Sequence, residues 1–271
     1  MCNVLEVSRS GYYAWLNQSV PSARCLENQE LSEKIKMIFI NNKCRYGSRR
    51  IRKNLIKMGY KISRRRVRKL MKLQHLCCKT KRKFKHTTDS NHSLAVEKNL
   101  LNRNFSPSCP NKAYVGDITY IPTHEGWLYL AVVIDLFSRQ VVGWSMDGRM
   151  KTVLVNDALT MAIWKRNPTR CLISHTDRGN QYASKSHKDL LKLHGIKQSM
   201  SRRANCWDNA VAESFFHTLK VELTHHEQFK TRDEAKGKIF EYIEVYYNRL
   251  RMHSANDYLS LVDYEEAQRV A

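Results

Sequence analysis

The stretch AYVGDITYIPTHEGWLYLAVVIDLFSRQVVGWSM (113–146) decides how the chain reads. It breaks into three β-branched and aromatic runs, 113–121, 126–137 and 140–146, parted by short polar turns. Such runs joined by tight connections predict three adjacent antiparallel strands. Downstream, TVLVNDALTMAIWKR (152–166) has helical spacing, and RCLISHTD (170–177) is a short apolar run that reads as a buried strand. NAVAESFFHTLKVEL (209–223) and RDEAKGKIFEYIEVYYNRL (232–250) read as long amphipathic helices. Three strands, a helix, a strand and further helices make an α/β arrangement around a mixed sheet.

Upstream the character changes. Residues 1–110 hold 25 basic and 6 acidic side chains, against 22 and 19 in residues 111–271. The whole chain of 271 residues carries a formal charge of +22. That imbalance points to a polyanionic partner, and nucleic acid is the usual one. Within the basic part, LSEKIKMIFINN (31–42) sets Leu31, Ile35, Ile38 and Phe39 on one helical face. SRRIRKNLIKM (48–58) does the same with Ile51, Leu55 and Met58, and Gly59 suits a left-handed helix end. Ser63 is an N-cap candidate for RRRVRKLMKL (64–73), with Val67, Leu70 and Met71 inward. A helix-turn-helix-like region over about 31–75 follows, in which Arg64, Arg65, Arg68 and Lys72 face outward, suited to DNA phosphates or the major groove. HTTDSNHS (86–93) through NFSPSCPNK (104–112) has the composition of a connector. The expected organisation is therefore a basic helical region over 1–88, a linker over 89–111, and a core over 112–271.

Several classes fall away. The apolar run Trp127–Ile134 ends at Asp135, too short to span a bilayer, so no membrane residence is expected. Glu6 and Arg9 interrupt the start, so no secretory leader is expected either. The eight cysteines include no C-x-x-C pair, and reduced thiols in a cytosolic protein are expected.

Three carboxylates carry the chemistry. Asp117 sits mid-strand in VGDIT, where a lone buried charge is costly. Asp177 ends the fourth predicted strand ahead of RGNQY, at the carboxyl edge where open α/β sheets place ligands. Glu213 shares a helical face with Asn209, His217 and Lys220, while Ala212, Phe215, Phe216 and Leu219 form the packing side. Two strand ends and one helix can meet at one sheet edge, and an all-oxygen donor set suits Mg²⁺ or Mn²⁺. Asp135 reads as structural, closing the second strand and pairing with Ser138 or Arg139. His175 reads as a packing or orienting residue rather than a metal ligand, Trp207 as a packing anchor and Asp208 as an N-cap.

VGDIT, VVIDLFSRQVVGW, HTDRGNQY and DNAVAESFFHTLKVE resemble the signature blocks of DDE transposases and retroviral-type integrases. Between Asp177 and Glu213 stand 35 residues, the interval of the D,D-35-E group. With YGSRRI (46–51), ISRRRVRKLM (62–71) and YNRLRMHS (247–254), the chain is similar to the second-frame product of the insertion-sequence-three family of bacterial transposases. The resemblance implies a ribonuclease-H-like, five-stranded core in which Asp117, Asp177 and Glu213 hold two divalent ions, and it implies that Lys220 contacts DNA. It also implies cleavage at insertion-sequence ends and joining of the freed 3′-hydroxyl to target DNA, on double-stranded terminal repeats. The implied partners are an upstream first-frame product, or a fusion with it, and further copies of the chain on DNA, in the bacterial cytoplasm at the nucleoid. The chain departs from the family pattern at Tyr114, where a tryptophan usually stands nearby, and in HSANDYLSL (253–261), which lacks the usual Gly and Pro.

Overall fold

A computed structural model describes residues 2, 6–16, 21–79, 96–202 and 205–270. The chain divides into two compact units, Met1–Lys79 and Thr80–Ala271. The seam 86–93 lies outside the described residues.

In the first unit an exposed helix α1 (Arg9–Leu16) precedes α2 (Ala23–Asn41), α3 (Ser48–Lys57) and α4 (Arg64–Leu73). Helix α2 starts well before residue 31, because the Ser22 hydroxyl accepts the Cys25 N–H and caps a polar first half that shows no apolar stripe. Leu31, Ile35, Ile38 and Phe39 pack with Ile51, Leu55, Val67, Leu70 and Met71 in the core of this unit. Ser63 accepts the Arg66 N–H at 3.2 Å, and Gly59 has φ +92°. Met58 is exposed rather than inward, since α3 ends at Lys57 and the apolar stripe ends with it. Arg64, Arg65, Arg68 and Lys72 line the exposed side of α4. Arg66, facing α2, forms a bidentate pair with Glu27 and also bonds Asn28.

The second unit is built on a mixed five-stranded sheet in the order β3-β2-β1-β4-β5. Its strands are β1 (Ala113–Thr123), β2 (Gly126–Asp135), β3 (Val141–Asp147), β4 (Ile173–Thr176) and β5 (Lys197–Met200). The first three are antiparallel, while β4 pairs parallel with β1 and β5 parallel with β4. Central β2 is buried on both faces, which is why it reads as an unbroken apolar run. Helix α5 (Thr152–Arg166) lies on β3 and β2 and packs against the short α6 (Asn180–Ala183) and α7 (Lys185–Leu193), the latter also against β5. Helix α8 (Ala210–Glu222) lies on β1, and α9 (Arg232–Phe240) lies on β2 before running into a π-helical turn, Glu241–Tyr247.

Two connecting regions are more ordered than their composition foretells. Within the stretch read as a linker, residues 96–111 hold to the sheet: Leu100 N–H and Leu101 N–H both donate to the Ser199 hydroxyl, and Arg139 donates to the Phe105 carbonyl. In the tail, Asp257 and Tyr258 adopt left-handed conformations, with φ +49° and +62°. Asp257 occupies the place of the family's glycine, and aspartate tolerates that region better than most side chains. Helix α10 (Leu261–Val270) follows.

Helix α5 is seated by Gly143 on β3. A Cβ there would lie 2.1 Å from the Ala158 carbonyl oxygen and 2.7 Å from the Ala162 nitrogen, both backbone atoms. Gly143→Ala must push the helix off the sheet and is expected to cost about 3 kcal/mol. Urea denaturation measures it, and a loss under roughly 0.5 kcal/mol would contradict the packing described.

Candidate active site

Register brings the two aspartates side by side. On the neighbouring parallel strands β1 and β4, Gly116 is paired with Thr176. Asp117 and Asp177 are the next residues of the two chains, about one strand spacing apart. Helix α8 crosses β1 with Glu213 in its first turn and Lys220 in its last. The amide of Asn209, just before α8, donates to the Gly116 carbonyl at 3.4 Å.

The groups act on one another electrostatically. The Asp117 carboxyl is held well above the usual carboxylate range, first by burial and then by the charges of Asp177 and Glu213. The Ile118 N–H bond at 2.8 Å and the Lys220 ammonium oppose that rise. Tyr182 on α6 feels the same charges: its hydroxyl is driven well upward by burial, by Asp117 and by Asp177. That hydroxyl lies 3.6 Å from where a Cβ on Gly116 would stand. Sequence reading passed over Tyr182, although its place five residues after Asp177 in HTDRGNQY was a usable signal. The structure thus brings Asp117, Asp177, Glu213 and Lys220 together, while Arg64, Arg65, Arg68 and Lys72 belong to the first unit.

Asp117 and Asp177 each turn one oxygen to a nearby backbone N–H, Ile118 at 2.8 Å and Gly179 at 2.9 Å. Gly179 has an ordinary φ of −59°, so its role is space: a Cβ would crowd the Asp177 oxygen at 3.1 Å. Among the described residues, no three His, Cys, Asp or Glu side chains converge closely enough to hold a metal ion as they stand. What the three carboxylates share is a negative field, with Asp117 and Asp177 half-buried and Glu213 exposed. Their donor chemistry fits a hard divalent cation, which that field would attract. The Lys220 ammonium also lies over the Tyr120 ring, 5.2 Å from its centroid.

The surroundings bear out the reading of Asp135 and correct those of Asp208 and Trp207. Asp135 is structural and pairs with Arg139 in the turn, whose backbone N–H donates to the Asp135 carbonyl at 2.8 Å, while its carboxylate takes the Asn111 and Phe137 N–H groups and the Arg166 guanidinium. Arg166 reaches it from the end of α5, a contact invisible in local sequence. Asp208 does not cap α8. Its carboxylate is buried between Arg202 and Arg103, with Asn99 as a third donor, and the Arg202 hydrogen bonds hold it far below the usual range. Trp207 is 69% exposed and anchors nothing. His175 meets the orienting expectation: it bonds the Ser199 hydroxyl at 2.8 Å, and burial lowers its pKa to about 4, leaving it neutral.

Known proteins resemble this chain in sequence and in fold. The family described as "Integrase core domain" matches residues 107–206, a second family of that description matches 213–268, and an "HTH-like domain" matches 26–84. The transposase of insertion sequence element IS904 from Lactococcus lactis is 49% identical over 247 residues, covering 91% of this chain and 97% of that protein. Transposase InsF for insertion sequence IS3A of Escherichia coli is 46% identical over 255 residues, covering 94% and 88%. The chain belongs to the IS3-family transposases. In fold, the transposase is similar to a chain of the simian T-cell lymphotropic virus intasome, with a TM-score of 0.52 at 17% identity, covering 78% of this chain and 69% of that one. No helix among its described residues is long and apolar enough to cross a membrane.

Concentrated charge has a measurable consequence for the fold. A carboxyl whose folded pKa lies above its unfolded value, near 3.8, loses stability as pH rises through that unfolded value. Asp117→Asn removes the penalty and should stabilise the metal-free transposase by about 1 kcal/mol at pH 8. Below pH 3 the difference should vanish, because both forms are then neutral. Thermal melts at the two pH values measure it, and a destabilised Asn variant at pH 8 would contradict the like-charge account.

Proposed function

We propose that the transposase cuts DNA at the ends of its insertion element and joins the freed 3′-hydroxyl to a target phosphodiester, with Asp117, Asp177 and Glu213 as the reacting centre. The observation that supports this most is the shared field of those three carboxylates at the β1–β4 edge, in a chain of the IS3 family. The three would hold two Mg²⁺ or Mn²⁺ ions, which supply charge neutralisation and an activated oxygen nucleophile. The protein's own groups do the rest. Strands β1 and β4 keep Asp117 and Asp177 at a fixed spacing. The neighbouring backbone N–H groups orient one oxygen of each aspartate.

Lys220, projecting from the helix that carries Glu213, is a mobile point charge suited to a phosphate near the scissile bond. In the first unit, Arg64, Arg65, Arg68 and Lys72 form a cationic helix face suited to the backbone of a terminal repeat. The functional division we infer is a DNA-binding region over 1–88, a connector over 89–111, and a catalytic core over 112–271. The upstream first-frame product, or a fusion with it, completes recognition of the ends, and several copies assemble on DNA in the bacterial cytoplasm at the nucleoid.

The test is strand transfer on a labelled duplex carrying the element's own ends, with Mg²⁺ and the first-frame product supplied. Asp177→Asn keeps the shape of the side chain and removes its charge. It should lower cleavage and joining by at least about 100-fold while DNA affinity stays within twofold, since affinity rests on the basic helices. Cleavage by the Asn variant at more than a few per cent of the parent rate would remove Asp177 from the centre.

A further inference from the structure

Strand β1 outruns its neighbour β4, since the two pair only over Ala113–Gly116 and Ile173–Thr176. From Asp117 to Pro122 the strand keeps β2 on one side, and among the described residues no strand covers the other. Tyr120 stands three residues along this open edge from Asp117, roughly 10 Å away at the rise of a strand. Alternation puts the two side chains on opposite faces of the sheet. Lys220 joins them across the edge: its ammonium acts on the Asp117 carboxyl and lies over the Tyr120 ring, 5.2 Å from the centroid.

Trp127 completes the group. Tyr120 is paired with Tyr129 on β2, so Trp127 is its diagonal neighbour on the same face. The Tyr120 and Trp127 rings meet edge to face, with centroids 4.9 Å apart and planes at 84°. Trp127 is nevertheless 48% exposed. Its backbone is firmly held. Arg232 Nε donates to the Trp127 carbonyl at 3.2 Å and Nη2 to the Glu125 carbonyl at 2.9 Å, while the His124 N–H donates to the Phe229 carbonyl at 3.0 Å. A large ring fixed in this way gains apolar burial against a flat partner and has little backbone freedom left to lose.

The neighbouring chemistry says which partner fits. The Tyr120 ring already carries an ammonium, so the open aromatic surface is that of Trp127, and the charge beside it suits a phosphate. A nucleic-acid strand brings phosphates and flat rings in alternation. The roughly 10 Å from Asp117 to Tyr120 corresponds to about three nucleotide steps of about 3.4 Å. A base inside a duplex has its faces covered by the stack, so only one that has left it can lie on an indole. We propose that Trp127 stacks on an unpaired base of the DNA end, within about three nucleotides of the scissile phosphate, while Lys220 holds a phosphate beside it. This rests on the DNA-cutting and joining reading above. No covalent step is involved; the stack stabilises an opened end and so helps the strand reach the carboxylates. Every base has a π-face, so the site tolerates any sequence at that position.

The experiment measures the affinity of the full-length protein, with the first-frame product supplied, for labelled duplexes carrying the element's ends. Mg²⁺ is left out so that no strand is cut. Each duplex lacks the base opposite one probed nucleotide, so no pairing has to be broken, and carries there either a base or an abasic sugar. The three nucleotides on each side of the scissile phosphate are probed in turn. At one of these positions the parent should bind the base-bearing duplex about tenfold more tightly than the abasic one. Trp127→Leu and Trp127→Gln, one apolar and one polar, both remove the ring. Each should bind both duplexes with the parent's affinity for the abasic one. Trp127→Phe keeps a flat ring and should keep several-fold of the preference.

A ring-less variant that keeps the parent's preference for the base overturns the proposal, even where its affinity falls for both duplexes alike, because that pattern marks a structural residue. So does a parent without a base preference at any probed position. Mg²⁺ is then added to the parent on intact ends. A parent that neither cuts nor joins them overturns the reaction itself and this inference with it. A parent that does both, yet binds base-bearing and abasic duplexes equally, overturns this inference alone.

Discussion

Three carboxylates that repel one another are held at one edge of a sheet, and much of the catalytic unit serves to keep them there. Left to itself, a chain would separate Asp117, Asp177 and Glu213. Burial raises the Asp117 pKa, and the other two charges raise it further. Only a frame stiffer than this repulsion keeps the three together, and its rigidity has to come from elsewhere in the fold. The concentration of charge is also what would attract a divalent cation, as the proposed function requires.

The frame is a set of buried ion pairs placed where the catalytic elements end. Helix α8 is anchored at its far end by Glu222, which takes Arg251 through three hydrogen bonds and the Tyr242 hydroxyl through a fourth, nearly all out of water. Removing one partner of such a pair leaves an uncompensated charge, so the lock is strong even where its net stabilisation is modest. Arg166, at the end of α5, joins Asp135 at the close of β2 to Glu265 on α10. Before α8, Asp208 ties the approach to Glu213 to the 96–103 segment through Arg202, Arg103 and Asn99. The Asn248 side chain pairs with both backbone groups of Val141 and so covers part of edge strand β3. Each lock joins elements far apart in the chain, so the C-terminal helices brace the strands and the helix that carry the three carboxylates.

That distance also explains what the sequence could and could not tell. Strands β1 to β3 and the helices bearing Glu213 and the α4 arginines were legible, because periodicity and turn chemistry are local. Asp117 stood out as a charge in an apolar strand, and Asp177 as the residue after one. Strand β5 was not marked, since the four residues KQSM acquire strand character only by pairing with β4. The 96–111 segment read as connector because its order comes from Ser199, Asp208 and Arg139, contacts that composition cannot foresee. Trp207 was misread for the same reason: an aromatic beside a helix start usually packs, but here buried Asp208 and Asn209 do the anchoring and leave the indole outside. Tyr182 needed the β1–β4 register to bring it beside both aspartates.

Manganese binding by the DNA-free protein, followed by isothermal titration with the parent and Glu213→Gln side by side, tests most directly that these three carboxylates act as one cation site. The account predicts saturable binding to the parent and at least tenfold weaker binding once the glutamate charge is gone, with both proteins melting as folded species. Equal affinity for the two proteins would contradict it, and would mean that Glu213 lies near the aspartates without sharing their chemistry.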